Sequence, residues 1–162
     1  MRTLYIHGLQ SHPKKEKLEV IEQNSRVEAL HINYDETPEA FNVLSDTITE
    51  HGITHIVGSS FGGFLGFWLA EKYSLPCLLF NPAVAMKSLE MAHEKHTNRC
   101  PLRMVVLGAK DDVVDPVLTV QFLDTHPSET CVQRIINCKD LGHKININTF
   151  REFTQYFYQL SK

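Results

Sequence analysis

The sequence has no pair of cysteines spaced as CxxC, no apolar run long enough to cross a bilayer and no block of like charge. Each absence removes a class of protein. Cys77, Cys100, Cys131 and Cys138 are separated by 23, 31 and 7 residues. That spacing argues against a zinc ribbon or dithiol redox motif, and reduced thiols in a cytoplasmic protein are expected instead. No segment approaches the roughly 20 apolar residues of a membrane span. The start, MRTLYIHG, is expected to enter a strand at once, without the n-, h- and cleavage regions of a signal peptide. A formal charge of -3 over 162 residues gives no electrostatic basis for binding nucleic acid or an anionic membrane surface. Nucleotide loops are missing too. After the first strand the chain reads IHGLQSHP, where Gly8 stands alone and forms neither GxGxxG nor GxxxxGK.

What is present is an alternation of two periodicities. Short apolar, β-branched runs predict strands at about Thr3–His7, Val27–Ile32, Ile53–Gly58, Pro76–Phe80, Met104–Gly108 and Cys131–Ile136. Helical spacing predicts helices at Lys14–Gln23, Pro38–Glu50, Phe61–Tyr73, Lys87–Glu94, Pro116–Asp124 and Asn148–Leu160. Thr37-Pro38 and Asp115-Pro116 each place a capping residue before a proline at the first helical position. Strict alternation argues for an α/β fold with about six mostly parallel strands and helices on both faces, because parallel neighbours need crossovers. No linker, repeat or low-complexity tract divides the chain, so residues 1–162 are expected to form one domain. In open sheets of this kind, chemistry collects beyond the carboxyl ends of the strands, where the strand order reverses.

One stretch fits that location. ITHIVGSSFGGFLG turns from strand to helix with only small residues between. Gly58-Ser59-Ser60-Phe61-Gly62 matches G-x-S-x-G, in which the central serine occupies a strained turn and the flanking glycines admit close backbone. Ser59 takes the variable position. A serine hydroxyl is a weak nucleophile until an oriented base accepts its proton. Asp111 follows the fifth strand, three residues past Gly108, and His143 follows the sixth, behind Gly142. The order Ser60, Asp111, His143, with gaps of 51 and 32 residues, is that of an α/β hydrolase.

Taken together, YIHGLQSHP at 5–13, GSSFGGFLG at 58–66, NPAV at 81–84 and GHKI at 142–145 resemble the α/β-hydrolase superfamily, and in particular the YqiA-like family of small bacterial esterases. The resemblance spans nearly the whole chain. It implies Ser60 as nucleophile, His143 as general acid/base and Asp111 as the carboxylate that orients it. It also implies an oxyanion hole from the backbone N–H groups of Phe61 and Leu9, with His7, Gly8, Gly58 and Gly62 supporting the motif. The activity implied is carboxylic-ester hydrolysis, extending to thioesters, with no metal and no organic cofactor. The expected partner is a small-molecule acyl ester or thioester. Two departures from the superfamily stand out: the usual two leading strands are absent, and residues 85–101 leave room for a flap at most. An uncapped site favours small or flexible acyl groups. A small peptidase or lactone hydrolase on the same triad, or a silent binding module on the same fold, remain alternatives. The oligomeric state is left open.

Other residues compete for these roles. Asp115 is better explained as a helix cap, and Asp112 would replace Asp111 only if the turn ran one residue longer. His96 and His126 lie in loops and are expected to be solvated, while His93 and His96 in HEKH lack the HExxH spacing of a metal site. His55 is expected in the core or on the sheet surface, and His7 is expected to brace the oxyanion loop. Phe150, Phe153, Tyr156 and Phe157, at steps of 3, 3 and 1, are expected to pack in the core.

Overall fold

Successive side chains of a strand point to opposite faces, so a strand apolar at every position needs cover on both sides. The computed structural model, which describes residues 1–85, 100–126 and 131–161, shows that cover. The elements run β1 (Arg2–Ile6), α1 (Lys15–Glu22), β2 (Arg26–Glu28), α2 (Ala40–His51), β3 (His55–Ser59), α3 (Phe61–Tyr73), β4 (Cys77–Phe80), β5 (Leu102–Gly108), α4 (Pro116–Thr125), β6 (Val132–Cys138) and α5 (Ile147–Leu160). The strands form one six-stranded sheet in the order β2-β1-β3-β4-β5-β6. Every neighbouring pair is parallel. The order reverses between β1 and β3, the switch point where a crevice must open above the sheet.

Two apolar clusters lie on the two faces. Leu4, Ile6, Ile56, Leu79, Val105 and Leu107 face α2, α3 and α4, packing with Leu44, Phe67 and Leu123. Their sequence neighbours Tyr5, Val57, Leu78, Phe80, Met104 and Val106 face α1 and α5, packing with Ile21, Phe150 and Phe157. The result is a three-layer α/β fold. Among the described residues, no helix is long and apolar enough to cross a membrane.

Some expectations needed correction. The second strand stops at Glu28 rather than Ile32. Ile32 is buried instead beneath His7, whose Nε2 accepts the Ile32 N–H at 3.1 Å, so this apolar run anchors a loop and does not lengthen an edge strand. Helix α2 begins at Ala40, and its N-cap, Glu39, makes no side-chain bond. Thr37-Pro38 therefore precedes the helix as a turn. Asp115 does cap α4, accepting from the Val117 and Leu118 amides at 2.8 and 3.4 Å, with Pro116 first in the helix. His126 is half-buried, stacked on Phe122 with ring centroids 3.9 Å apart. In α5, Phe150 and Phe157 are fully buried, whereas Tyr156 is exposed and accepts a hydrogen bond from Arg134. All four cysteines are free thiols. The helix expected at 87–94, with His93 and His96, lies outside the described residues.

Candidate active site

The turn from β3 into α3 is built on backbone contact. A side chain at Gly58 would collide with the Gly62 carbonyl, and one at Gly62 with the carbonyls of Ile6 and His7. Only hydrogen fits at either place, so α3 seats directly against β3 and the end of β1. Ser60 sits at the apex with φ 54° and ψ -120°, a conformation that costs a non-glycine residue on the order of 1–3 kcal/mol. It occupies the N-cap of α3, where serine ordinarily bonds the first free amides, yet its side chain makes no capping bond. The hydroxyl turns outward instead.

There it meets His143, with Nε2 to Ser60 Oγ at 3.1 Å. The other ring nitrogen, Nδ1, lies 2.9 and 3.0 Å from the two carboxylate oxygens of Asp111. Asp111 is pinned from behind, since its Oδ1 accepts the amides of Val113 and Val114, both at 2.9 Å. The carboxylate is 1% exposed and the imidazole 22%, so the acid is sealed while the ring faces the crevice. Asp112 is exposed, and Asp115 is occupied as the cap of α4. The structure thus brings together Ser60, His143 and Asp111 from three loops at the carboxyl ends of β3, β6 and β5.

Two further residues frame the crevice. His7 is 1% exposed. Its Nε2 accepts from Ile32, so the proton must sit on Nδ1, which donates to the Gly8 carbonyl at 2.8 Å. Burial, foremost, holds this imidazole below its ordinary pKa, with His31 and His12 adding in the same sense. The Gly8 carbonyl belongs to the same peptide unit as the Leu9 N–H, and in a trans peptide the two point opposite ways. Fixing the carbonyl toward His7 therefore turns the Leu9 N–H away from it. Gly8 itself abuts the serine, since a Cβ there would stand 3.2 Å from Ser60 Cβ. On the facing side, Phe61 is the first residue of α3, where an N–H has no acceptor within the helix.

Asn81 has a part that periodicity could not reveal. Buried and at φ 43°, it donates through Nδ2 to the carbonyls of Gly142 and His143 at 3.0 and 3.1 Å. Its Oδ1 accepts the Gly108 N–H at 2.7 Å. One amide therefore clamps the loop that carries Asp111 to the loop that carries His143. The only sequence signal was its place in NPAV, just past the fourth strand. His55, by contrast, lies at the start of β3, edge-on to Phe157 and away from the crevice.

The sequence profile of the Uncharacterised protein family (UPF0227) matches residues 2–89, just over half of the chain. The chain belongs to this family. The UPF0227 match covers the His-Gly loop, the turn at Ser60 and Asn81. Solved structures extend the likeness to the whole fold. A protein of Xanthomonas campestris pv. campestris, assigned as a hydrolase of the alpha/beta superfamily, superposes with a TM-score of 0.75 at 16% identity, covering 98% of this chain and 96% of its own. The monoacylglycerol lipase of Paleococcus ferrophilus gives 0.76 at 13% identity over 98% and 94%. The Bacillus cereus carboxylesterase gives 0.67 at 12% identity over 97% and 87%. At such identities the likeness is one of fold. This UPF0227 member has the α/β-hydrolase fold.

Proposed function

We propose that this protein is a serine hydrolase that cleaves carboxylic esters, and thioesters by the same steps, through an acyl-serine intermediate. The observation that carries the reading is the unbroken hydrogen-bond line from Ser60 through His143 to a sealed carboxylate at one rim of the sheet. As Ser60 Oγ bonds to the substrate carbonyl carbon, its proton passes to His143 Nε2. Asp111 holds the imidazole tautomer and offsets the positive charge of the imidazolium without taking the proton. The carbonyl oxygen becomes an oxyanion between the N–H groups of Phe61 and Leu9, and His7 aims the second of these. A single such donor is worth about 10²–10³-fold in turnover. The bond to the leaving alcohol or thiol then breaks, and His143 returns its proton to the departing atom. Water attacks the acyl-enzyme, gives His143 a proton, and releases the acid as Ser60 recovers its hydrogen. Every proton is accounted for by these groups and one water.

A fluorophosphonate probe tests the reading. Wild type is expected to be labelled at Ser60 and to hydrolyse short-chain esters. Ser60→Ala, folded by circular dichroism, is expected to do neither. Labelling that survives Ser60→Ala would place the nucleophile elsewhere, and a folded wild type inert to the probe would point to a binding module.

A further inference from the structure

A cavity of about 360 Å³ opens between the loop after β1 and the loop after β2. Each wall stands one residue from the Ser60 turn. On one wall, Leu9 follows Gly8, which lies against the Ser60 side chain. On the other, Tyr34 packs edge-on against Phe61, with ring centroids 4.8 Å apart. The rest of the lining is mixed: Ile32 adds to the apolar surface of Leu9 and Tyr34, while Gln10, Ser11, His31, Asn33 and Asp35 bring polar groups. Gln10 is held at φ 50°, a left-handed conformation that a non-glycine residue rarely keeps without a local reason.

The chemistry of this lining selects among occupants. Gln10, Ser11 and Asn33 each both donate and accept hydrogen bonds, and Asp35 accepts. A hydroxyl group does both as well, so a group bearing several hydroxyls can satisfy these walls. A short carbon backbone can lie on Leu9, Ile32 and Tyr34, but an occupant that is alkyl throughout would strip water from the polar groups and leave them unpaired. An anionic group would meet the carboxylate of Asp35. The strand order then assigns the half of the substrate. The cavity lies on the β1–β2 side of Ser60, whereas His143 arrives from the loop after β6, on the other side. A leaving oxygen must turn toward His143 Nε2 to collect its proton, so the portion that extends toward β2 is the part that stays on the serine.

We propose that this cavity is the acyl subsite and that the preferred acyl group is short and hydroxylated. The proposal rests on the ester-hydrolase reading above and names its substrate class. The volume suits it, lying near the lower end of the roughly 300–1,000 Å³ of small-molecule sites.

The test compares kcat/KM on methyl 2,3-dihydroxybutanoate, methyl butanoate and glyceryl butanoate, each divided by its rate of alkaline hydrolysis to remove intrinsic reactivity. Wild type is expected to favour the dihydroxy ester over methyl butanoate by at least about tenfold, the worth of one or two modest hydrogen bonds. Asn33→Leu and Asp35→Leu, at exposed positions where the fold tolerates change, are each expected to cut that ratio by about threefold or more. A ratio near one, a ratio that neither variant moves, or glyceryl butanoate as the best substrate would each overturn the assignment. Fluorophosphonate labelling run in parallel separates the two readings. Labelling without the preference sinks only the acyl subsite, whereas absence of labelling in folded protein sinks the esterase reading and the subsite with it.

Discussion

At the amino ends of β4, β5 and β6, Arg103 lies 1% exposed over the ring of Phe67, 4.3 Å from its centroid. It donates to Glu71 on α3 and, at 2.7 Å, to Gln133 on β6. On the other face of the sheet, at the amino end of β1, Thr3 bonds Ser25 at 2.9 Å and Tyr158 at 2.6 Å, joining β1 to α5. At the carboxyl ends of the same sheet, Ser60 and His143 are only half-buried, and the backbone is different. Gln10, Ser60 and Asn81 all have positive φ there, and the Ser60 side chain leaves its own helix uncapped. The amino end spends its polar side chains on tying helices to strands, and its one described non-glycine residue of positive φ, Ser74, has the ordinary left-handed conformation of a helix C-cap. The carboxyl end keeps three non-glycine residues in unfavourable conformations and points the hydroxyl and imidazole at open space. Damage at the first end should therefore appear as lost stability, and damage at the second as lost turnover.

The largest expected effect is at the rim. On the proposed mechanism, in which Ser60, His143 and Asp111 act as a unit, His143→Ala should lower ester turnover by at least about 10³-fold, close to the Ser60→Ala level. The melting temperature should barely move. A loss below about tenfold, roughly 1.4 kcal/mol, would assign the base elsewhere. At the opposite end, Glu71→Ala leaves the buried Arg103 guanidinium without its anion and should cost about 3–5 kcal/mol. The melting temperature should fall by roughly 10 °C, measured by calorimetry, while kcat of the folded fraction stays near wild type. Replacing both partners, as Glu71→Leu with Arg103→Met, should restore most of that loss. A drop in kcat matching the drop in stability would erase the contrast between the two ends.

Asn81→Gly sharpens the contrast. Glycine keeps the positive φ but removes the amide that ties the loops after β5 and β6, so kcat should fall by about 10–10²-fold with KM little changed. Unchanged kcat with reduced stability would make Asn81 structural only.

The smallest effect is a pH dependence at His7. Its folded pKa lies below the ordinary 6.5, so as the solution falls below that value the unfolded chain takes up a proton that the folded chain refuses. Stability is complete above pH 6.5 and declines as pH falls through the folded pKa. Buried His55 shifts in the same direction, so the comparison with His7→Met isolates the contribution of His7. Denaturant midpoints from pH 7.5 to 5 should fall less steeply in the variant. Equal slopes would show that His7 titrates normally.

These residues also show how much a sequence discloses. The four central strands were legible because parallel strands covered on both faces are largely apolar, the edge strands only by shorter β-branched runs, and the turn at Ser60 was legible because only glycine fits its backbone contacts. Asp111 and His143 could be placed because each follows a strand end in the expected order. Strand β2 was overextended because Ile32 is apolar for another reason, to close over His7. Thr37-Pro38 has the composition of a cap but stands before the first helical turn, a distinction set by how the loop returns to the sheet. The clamp by Asn81 was out of reach, since its partners lie 27, 61 and 62 residues away and are all backbone atoms with no side-chain signature.

Asn81 also has a counterpart across the crevice. One side chain joins the loops bearing the carboxylate and the imidazole, and on the facing side His7 takes the Ile32 N–H on its ring and the Tyr34 hydroxyl on its carbonyl. Each bank is thus fastened by a single buried polar residue, so either one can be loosened by one substitution without touching the serine between them.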